Sequence, residues 1–297
     1  MNIYLTSTGE QLPGDLLLEV ISRSDLAPVP RTLEFSVRLK DDLESRLEVG
    51  AAVWGGWEHL KYTIVKRERM PPTGQVQGGE AQQAARYTAF LDSCKSIAEP
   101  RQRAVIEHNT SLGAMYRACG AQVAIANDFT VGRFACLVGD IPSKAIAVAL
   151  QEEGAALVLR NGRLSIERLH NLMQQAPADT IGQHDSSAAH DSALLERQEI
   201  PMCFSLDAMG NVVAGDFSTM RNARFIPGKD ARTLHNLSHV LVTRKVVDSQ
   251  LAQQILAGDI VTVGGRNLLV ITAAHRSRQR EGITDTASRF WLGEVSK

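Results

Sequence analysis

The chain has 297 residues, with 32 Lys+Arg against 33 Asp+Glu and a formal net charge of −1. Apolar residues make up 44 % and charged residues 22 %. These proportions belong to a globular protein and exclude collagen-like, disordered and disulfide-dense classes. Near-zero net charge argues against attraction of the whole chain to nucleic acid or an acidic membrane, and the length suffices for about two domains with a buried core.

No run approaches the ~20 apolar residues that span a bilayer; Ala145–Leu150 is among the longest. The start, MNIYLTSTGEQ, has no basic segment followed by an apolar one, so no signal peptide is expected and synthesis in a cytosol is. Cys94, Cys119, Cys136 and Cys203 form no CxxC pair. They read as small buried apolar residues rather than a zinc or redox site.

The first ~75 residues read as strands. From Thr32 to Lys40, Leu33, Phe35, Val37 and Leu39 alternate with polar residues, the pattern of a half-buried antiparallel strand. Leu16–Ile21 and Leu60–Val65 are further strands, the latter after a Gly55-Gly56 turn signal. Met70–Gly79 reads as a linker from its Pro and Gly content. Tyr87, Phe90, Leu91, Cys94, Ile97 and Ala98 recur every three to four residues and predict an amphipathic helix. A short helix follows, capped by Ser111, striped by Leu112, Met115, Tyr116 and Cys119, and stopped by Gly120. Phe134–Ile141 predicts a buried strand. A helix then opens at Pro142 and Ser143, runs through Leu150 and stops at Gly154.

Leu157–Arg160 and Arg163–Ile166 flank Asn161-Gly162, a pair suited to a two-residue hairpin in which both central residues need positive φ. Ala176–Glu199 is rich in Ala, Ser, Asp and Gln and predicts a mobile loop or linker. Strands are expected at Met202–Leu206, at Val212–Ala214 beyond Gly210-Asn211, and at Val240–Val247. Asp248 is expected to cap a helix carrying Leu251, Ile255 and Leu256 and ending at Gly258. Further strands follow at Ile260–Val263 and Leu268–Thr272, and the chain closes on Arg289–Gly293.

Two distant segments look alike: Leu47–Val65 and Leu256–Ala273. Gly50 aligns with Gly258, Val53 with Val261, and Gly55-Gly56 with Gly264-Gly265 after a one-residue insertion in the second copy. Each reads as a turn, an outgoing strand, a glycine reversal and a returning strand. The fold class expected is therefore α+β, with two similar small antiparallel β-barrels flanking a small α/β domain. The β-barrel domains would span 1–75 and 201–297, the middle domain 80–175, and a linker or mobile loop 176–200.

This layout resembles the central tail or baseplate hub proteins of bacteriophages, the late-control tail protein type. Gly258–Gly265 resembles the family's penultimate hairpin, Phe134–Leu169 its middle domain, and Arg289–Gly293 its last strand. The resemblance implies a non-enzymatic virion protein without a cofactor. It implies a homotrimer whose three pairs of barrels form a ring of six. That ring would join a six-fold tail tube or distal tail protein to a three-fold spike or tail tip, with DNA passing only transiently. Assembly would take place in the host cytoplasm, away from any membrane.

Motifs for chemistry are sparse. His235 and His239 have metal-like spacing if helical, but Thr233–Val247 reads as a turn entering a strand, which would set them ~13 Å apart, so no metal ligand is assigned. His184 and His190 fall in the polar segment beside Asp185 and Asp191. Asp41-Asp42 and Glu152-Glu153 read as surface charges. No GxGxxG after a strand, no GxxxxGK[ST] and no GxSxG occurs, so no catalytic residue is assigned. Trp54 and Trp57, flanking the first Gly-Gly, are expected at a subunit interface. Residues 221–297 carry 12 Lys+Arg and 6 Asp+Glu, net +6, which leaves −7 for the rest. Arg276, Arg278 and Arg280 form the sharpest run. They read either as a solvated hairpin tip or as an electrostatic contact with an acidic partner or DNA. The alternative to a hub is an OB-like module that binds nucleic acid or carbohydrate.

Overall fold

The computed structural model describes residues 1–7, 9–40, 42–71, 83–182, 188–189, 198–216, 221–280 and 283–296. Most of the predicted Met70–Gly79 linker, together with Asp41, His184, Asp185, His190 and Asp191, lies outside the described residues.

The chain opens with β1 (Ile3–Tyr4), β2 (Leu17–Asp25), β3 (Arg31–Arg38), helix α1 (Leu43–Arg46), β4 (Ala52–Gly55), β5 (Leu60–Met70) and β6 (Ala84–Leu91). These strands pair antiparallel in the order β1-β4-β5-β6-β3-β2. Alternation in β3 works as expected: Leu33, Phe35 and Val37 are buried among Val20, Val53, Tyr62, Ile64 and Tyr87. The helix predicted over Tyr87–Ala98 is instead β6 followed by a 3-10 helix, Asp92–Ala98. Ala85, Tyr87, Ala89 and Leu91 are the buried alternating set, and the small alanines had hidden a period of two. Cys94 and Ile97 then repeat at the three-residue spacing of the 3-10 turn.

The middle of the chain holds β7 (Val105–Ser111), α2 (Leu112–Ala118), β8 (Ala124–Asn127), β9 (Thr130–Cys136), α3 (Pro142–Glu152), β10 (Ala155–Arg160), β11 (Arg163–Arg168) and α4 (Leu169–Met173). Ser111 caps α2, its hydroxyl accepting from the Ala114 amide at 3.2 Å, and Gly120 takes φ 102° beyond it. The Asn161-Gly162 turn forms with φ 49° and 69° and sets Arg160 opposite Arg163. The strand expected to reach Ile141 ends at Cys136, leaving Leu137 and Val138 exposed. All four cysteines are buried and free.

The chain continues with β12 (Asp179–Ile181), β13 (Ala188–Ala189), β14 (Met202–Leu206), β15 (Val212–Ala214), β16 (Ala223–Phe225), α5 (Ala231–Ser238), β17 (Leu241–Ser249), β18 (Ile260–Val263), β19 (Arg266–Arg280) and β20 (Ile283–Val295). Within the stretch predicted as a loop, β12 pairs with β18 and β13 with β17. The helix expected after Asp248 is absent: residues 250–259 turn without helix. Ile255 is still buried there, like Leu47 in the corresponding turn of the first unit. The middle layer packs on this second unit through Ala156, Val158 and Leu172 against Ile260 and Leu269, and Arg160 reaches Asp259 at 2.6 Å.

The two β units share one topology. The first runs β4-β5-β6-β3-β2 and the second β18-β19-β20-β17-β13, each visited by the chain in the same order and with every pair antiparallel. A bulge breaks the β5–β6 register between Ile64 and Lys66, and another breaks β19–β20 between Val270 and Thr272. The backbone bonds refine the alignment of the repeat: no residue is inserted in the second copy. Gly55 is a strand residue equivalent to Val263, and Gly56 is equivalent to Gly264. It is the first copy that carries the longer turn, from Gly56 to His59, where the second reverses on Gly264-Gly265 alone.

Closed barrels were expected, and the sheet does not close among the described residues. The two units instead form one continuous sheet joined by β2 and β19. The reason is the length of β19. Its first residues pair with β18, and from Thr272 onward, past the bulge, the same edge takes β2.

Candidate assembly interface

The junction between the units is a seven-pair ladder from Thr272↔Asp25 to Arg278↔Glu19. Side chains reinforce it. The Thr272 hydroxyl donates to Asp25 at 2.6 Å, and the Ser24 hydroxyl accepts from the Ala257 amide at 2.9 Å. Buried His275 sits mid-seam with a partner on each side of its ring: Nδ1 is 2.8 Å from the Ser288 hydroxyl and Nε2 is 3.1 Å from the Ile255 carbonyl. Burial pushes its pKa down to about 4, so the ring is neutral. In the first unit Lys66–Met70 of β5 pair with β6 on one side, and on the other side, the edge equivalent to the seam, they have no strand partner among the described residues.

Trp57 stands on the longer turn of the first unit and is 75 % exposed. Trp54 lies on β4, half-buried, with the Lys61 ammonium 6.0 Å from its ring centroid. The turn is fastened from below, where Arg31, 3 % exposed, pairs with Glu58. Burial pushes the Arg31 guanidinium pKa down and the Glu58 carboxylate opposes that shift.

Arg276 and Arg278 do not form a hairpin tip. They lie within β19, flanked by β2 and β20. Arg276 pairs with Asp285 at 2.8 Å, and Arg278 stands in register with Glu19 on one side and Asp285 on the other. Arg280 ends the strand, and its side chain lies outside the described residues. Much of the local positive charge therefore has an acidic neighbour in the same sheet.

Glu153, expected on the surface, is buried. Its carboxylate accepts from Arg232 at 2.7 and 2.9 Å and from Arg168 at 3.2 Å. Burial opposes its ionisation, yet these two guanidiniums hold the carboxyl below its usual range. This clamp ties α3 to α5. No local pattern signals it, since its partners lie in other elements.

His235 and His239 are not in a strand. Asp230 caps α5, accepting from the Thr233 amide at 2.7 Å. The Asp230 cap is the local helix signal at this point of the sequence. His235 lies on α5 and His239 directly follows it, their rings stacked with centroids 4.1 Å apart. Asp216 joins them: one carboxylate oxygen is 2.8 Å from His235 Nδ1 and 3.4 Å from His239 Nδ1. Asp216 was not foreseen, because nothing in the sequence links it to a helix that begins beyond β16.

No family model matches the chain, and no curated protein sequence does. Solved structures do match. The tail protein from Neisseria meningitidis MC58 superposes with a TM-score of 0.65 at 10 % identity, over 99 % of this chain and 95 % of that one. The 43 kDa tail protein of prophage MuSo2 from Shewanella oneidensis gives 0.66 at 12 % identity, over 98 % of each chain. The E. coli c3393 protein, described as a type VI secretion component similar in structure to the T4 tail proteins gp27 and gp5, gives 0.54 at 8 % identity over 95 % of this chain and 74 % of its own. The chain thus shares its fold with phage tail proteins and with a type VI secretion component. The resemblance to tail and baseplate hubs read from the sequence is consistent with these neighbours, which are phage tail proteins.

Proposed function

We propose that this chain is a structural, non-catalytic protein of a phage tail, a hub that assembles as a closed homotrimer and adapts a six-fold tube to a three-fold spike or tip. One observation carries the reading. Two units of identical strand order are joined edge to edge inside the chain by β2 and β19, while the equivalent edge of β5 carries no strand among the described residues. In a ring, the seam within each chain alternates with a similar seam between chains. Residues Lys66–Met70 of one subunit then meet the outer strand of the next subunit's second unit, β13. Head-to-tail contacts of this kind close when the rotation divides the circle, and three chains supply six units. Trp57, exposed on a turn that is longer in the first unit than in the second, suits a contact that distinguishes alternate positions around the ring. The partners would be a tail-tube or distal tail protein and a spike or tip protein, and the site of action the virion tail. The acidic neighbours of Arg276 and Arg278 disfavour the OB-like nucleic-acid reading, since phosphate binding needs uncommitted positive charge.

Light scattering on the chain, alone and mixed with a tail-tube protein, tests this together with electron-microscope class averages. A mass three times the monomer's and an annulus with an open centre are expected. A monomer under both conditions, or DNA binding that falls steeply with salt, overturns the reading.

A further inference from the structure

We propose that Asp216, His235 and His239 form a binding site for one borderline divalent cation, of the Zn2+, Co2+ or Ni2+ class. The proposal goes beyond the structural role above and does not depend on it. Three side chains from two separate elements converge here, and the donor atoms they offer all lie within 4.8 Å of one another. A tetrahedral ion with bonds of about 2.1 Å needs donors about 3.4 Å apart. His239 Nδ1 already stands 3.4 Å from the Asp216 oxygen, and His235 Nδ1 stands 2.8 Å from it. Loading therefore asks for small side-chain adjustments rather than a new backbone.

The backbone is built for this approach. A Cβ on Gly215 would lie 2.1 Å from the His235 backbone nitrogen, so only glycine lets the chain leaving β15 lie against α5 and deliver Asp216 to the histidines. His235 lies in the last turn of α5 and His239 ends it, and their rings stack on one side. His239 Nδ1 lies 2.8 Å from the His235 carbonyl. Coordination through Nδ1 replaces that contact and leaves the ring proton on Nε2. The carbonyl end of α5 favours a cation at this position. Two imidazoles and one carboxylate select zinc-like ions over Mg2+ or Ca2+, which prefer all-oxygen shells.

Both histidines open onto a cleft of about 480 Å3 that is also lined by Glu153, Arg168 and His170. A fourth ligand, water or a side chain of a partner, can enter from that side. The bound ion would replace a hydrogen bond with a stronger tie between the end of β15 and α5. The Ser238 hydroxyl then continues that tie by accepting from the Cys203 amide at 3.0 Å.

The test uses the tag-free full-length chain, titrated with Zn2+ by calorimetry and with Co2+ by visible absorption. One equivalent should bind, with Co2+ giving the intense bands of a tetrahedral site. His235→Gln and His239→Gln should each weaken binding at least about tenfold, and Asp216→Asn about tenfold. His108→Gln, an exposed histidine on β7, should change nothing. Saturating Zn2+ should raise the melting temperature of the wild type and leave that of the double variant His235→Gln/His239→Gln where it is. The three residues are exposed or half-buried, so circular dichroism should show all variants folded. If one histidine variant unfolds, Asp216→Asn supplies the same reading. Absence of saturable binding at one equivalent, or binding that survives the double variant unweakened, overturns the proposal.

Discussion

Gly50 and Gly258, at opposite ends of the chain, hold the same backbone bond. The Gly50 amide donates to the Ile64 carbonyl at 2.8 Å, and the Gly258 amide donates to the Val270 carbonyl at 2.8 Å. Both glycines sit at φ 96°. The return bonds match as well, from Ile64 to Ala51 at 2.9 Å and from Val270 to Asp259 at 2.8 Å. Bulges one residue beyond Ile64 and Val270 complete the correspondence. A shared strand order could arise twice by chance; a shared turn, bond pair and bulge in register argue for one hairpin used twice.

The two glycines nevertheless differ in surroundings, and substitution should separate them. A Cβ on Gly50 meets nothing within 4 Å, so Gly50→Ala bears only the backbone strain, about 1–2 kcal/mol. A Cβ on Gly258 would stand 2.9 Å from a Val158 methyl, so Gly258→Ala adds a clash between the middle layer and the second unit. It should cost at least about 1 kcal/mol more. Urea unfolding of the two variants checks this. Equal losses would mean that Val158 gives way and the contact is loose.

Trp57→Ala should leave the monomer's stability within about 0.5 kcal/mol of wild type, because the side chain is largely in water. Its effect should fall on association, read as a lower light-scattering mass at equal concentration. Trp54→Ala loses partial burial and the Lys61 contact and should cost about 1 kcal/mol of folding stability. A variant at position 57 that keeps full assembly would remove that turn from the interface.

Glu58 is the carboxylate paired directly with Arg31's guanidinium, whose Nε has no hydrogen-bond partner among the described residues. Glu58→Gln leaves a buried cation unpaired and should cost about 3 kcal/mol. Arg31→Met removes the charge altogether, and the double variant Arg31→Met/Glu58→Gln should recover much of the loss. A double-mutant cycle in urea reads the coupling directly. Additive losses would show that the pair is not what holds the Trp57 turn down.

What the sequence made legible follows the range of the forces involved. The Leu33–Val37 alternation, the Ser111 cap and the Asn161-Gly162 turn are local, each fixed by a few neighbouring residues, and each is found as read. The repeat was visible through its glycines, because positive φ restricts those positions to few residue types. The long-range features were not visible. The β2–β19 seam depends on how far β19 runs past β18. The Glu153 clamp draws on Arg168 and Arg232 from separate elements. The Asp216–His235–His239 cluster depends on a helix that Asp230 begins and on the contact of Gly215 with it. Thr233–Val247 read as a turn entering a strand sets the two histidines ~13 Å apart, whereas α5 brings their rings together.

Acid should loosen the seam through His275. The Ala252 amide donates to the Ser288 hydroxyl at 2.9 Å, and that hydroxyl lies 2.8 Å from His275 Nδ1. With Nε2 donating to the Ile255 carbonyl at 3.1 Å, Nδ1 must accept from Ser288, which requires the neutral ring. In the unfolded chain the imidazole takes a proton near pH 6.5; in the folded chain burial delays this to about 4. Between those values the unfolded chain binds more protons. Stability therefore falls as the pH drops from about 6.5 to 4, by up to about 3 kcal/mol from this residue. Above that window the residue contributes no pH dependence. Urea unfolding at pH 7 and pH 4.5 should show a smaller acid loss for His275→Gln than for wild type, because carboxylates such as Glu153 contribute equally to both. Amide exchange in the wild type should rise first at Ile21–Ser24, which face His275 and its neighbours across the ladder. An identical acid loss in the two proteins would mean that His275 titrates as it does in water and that the seam carries no buried imidazole.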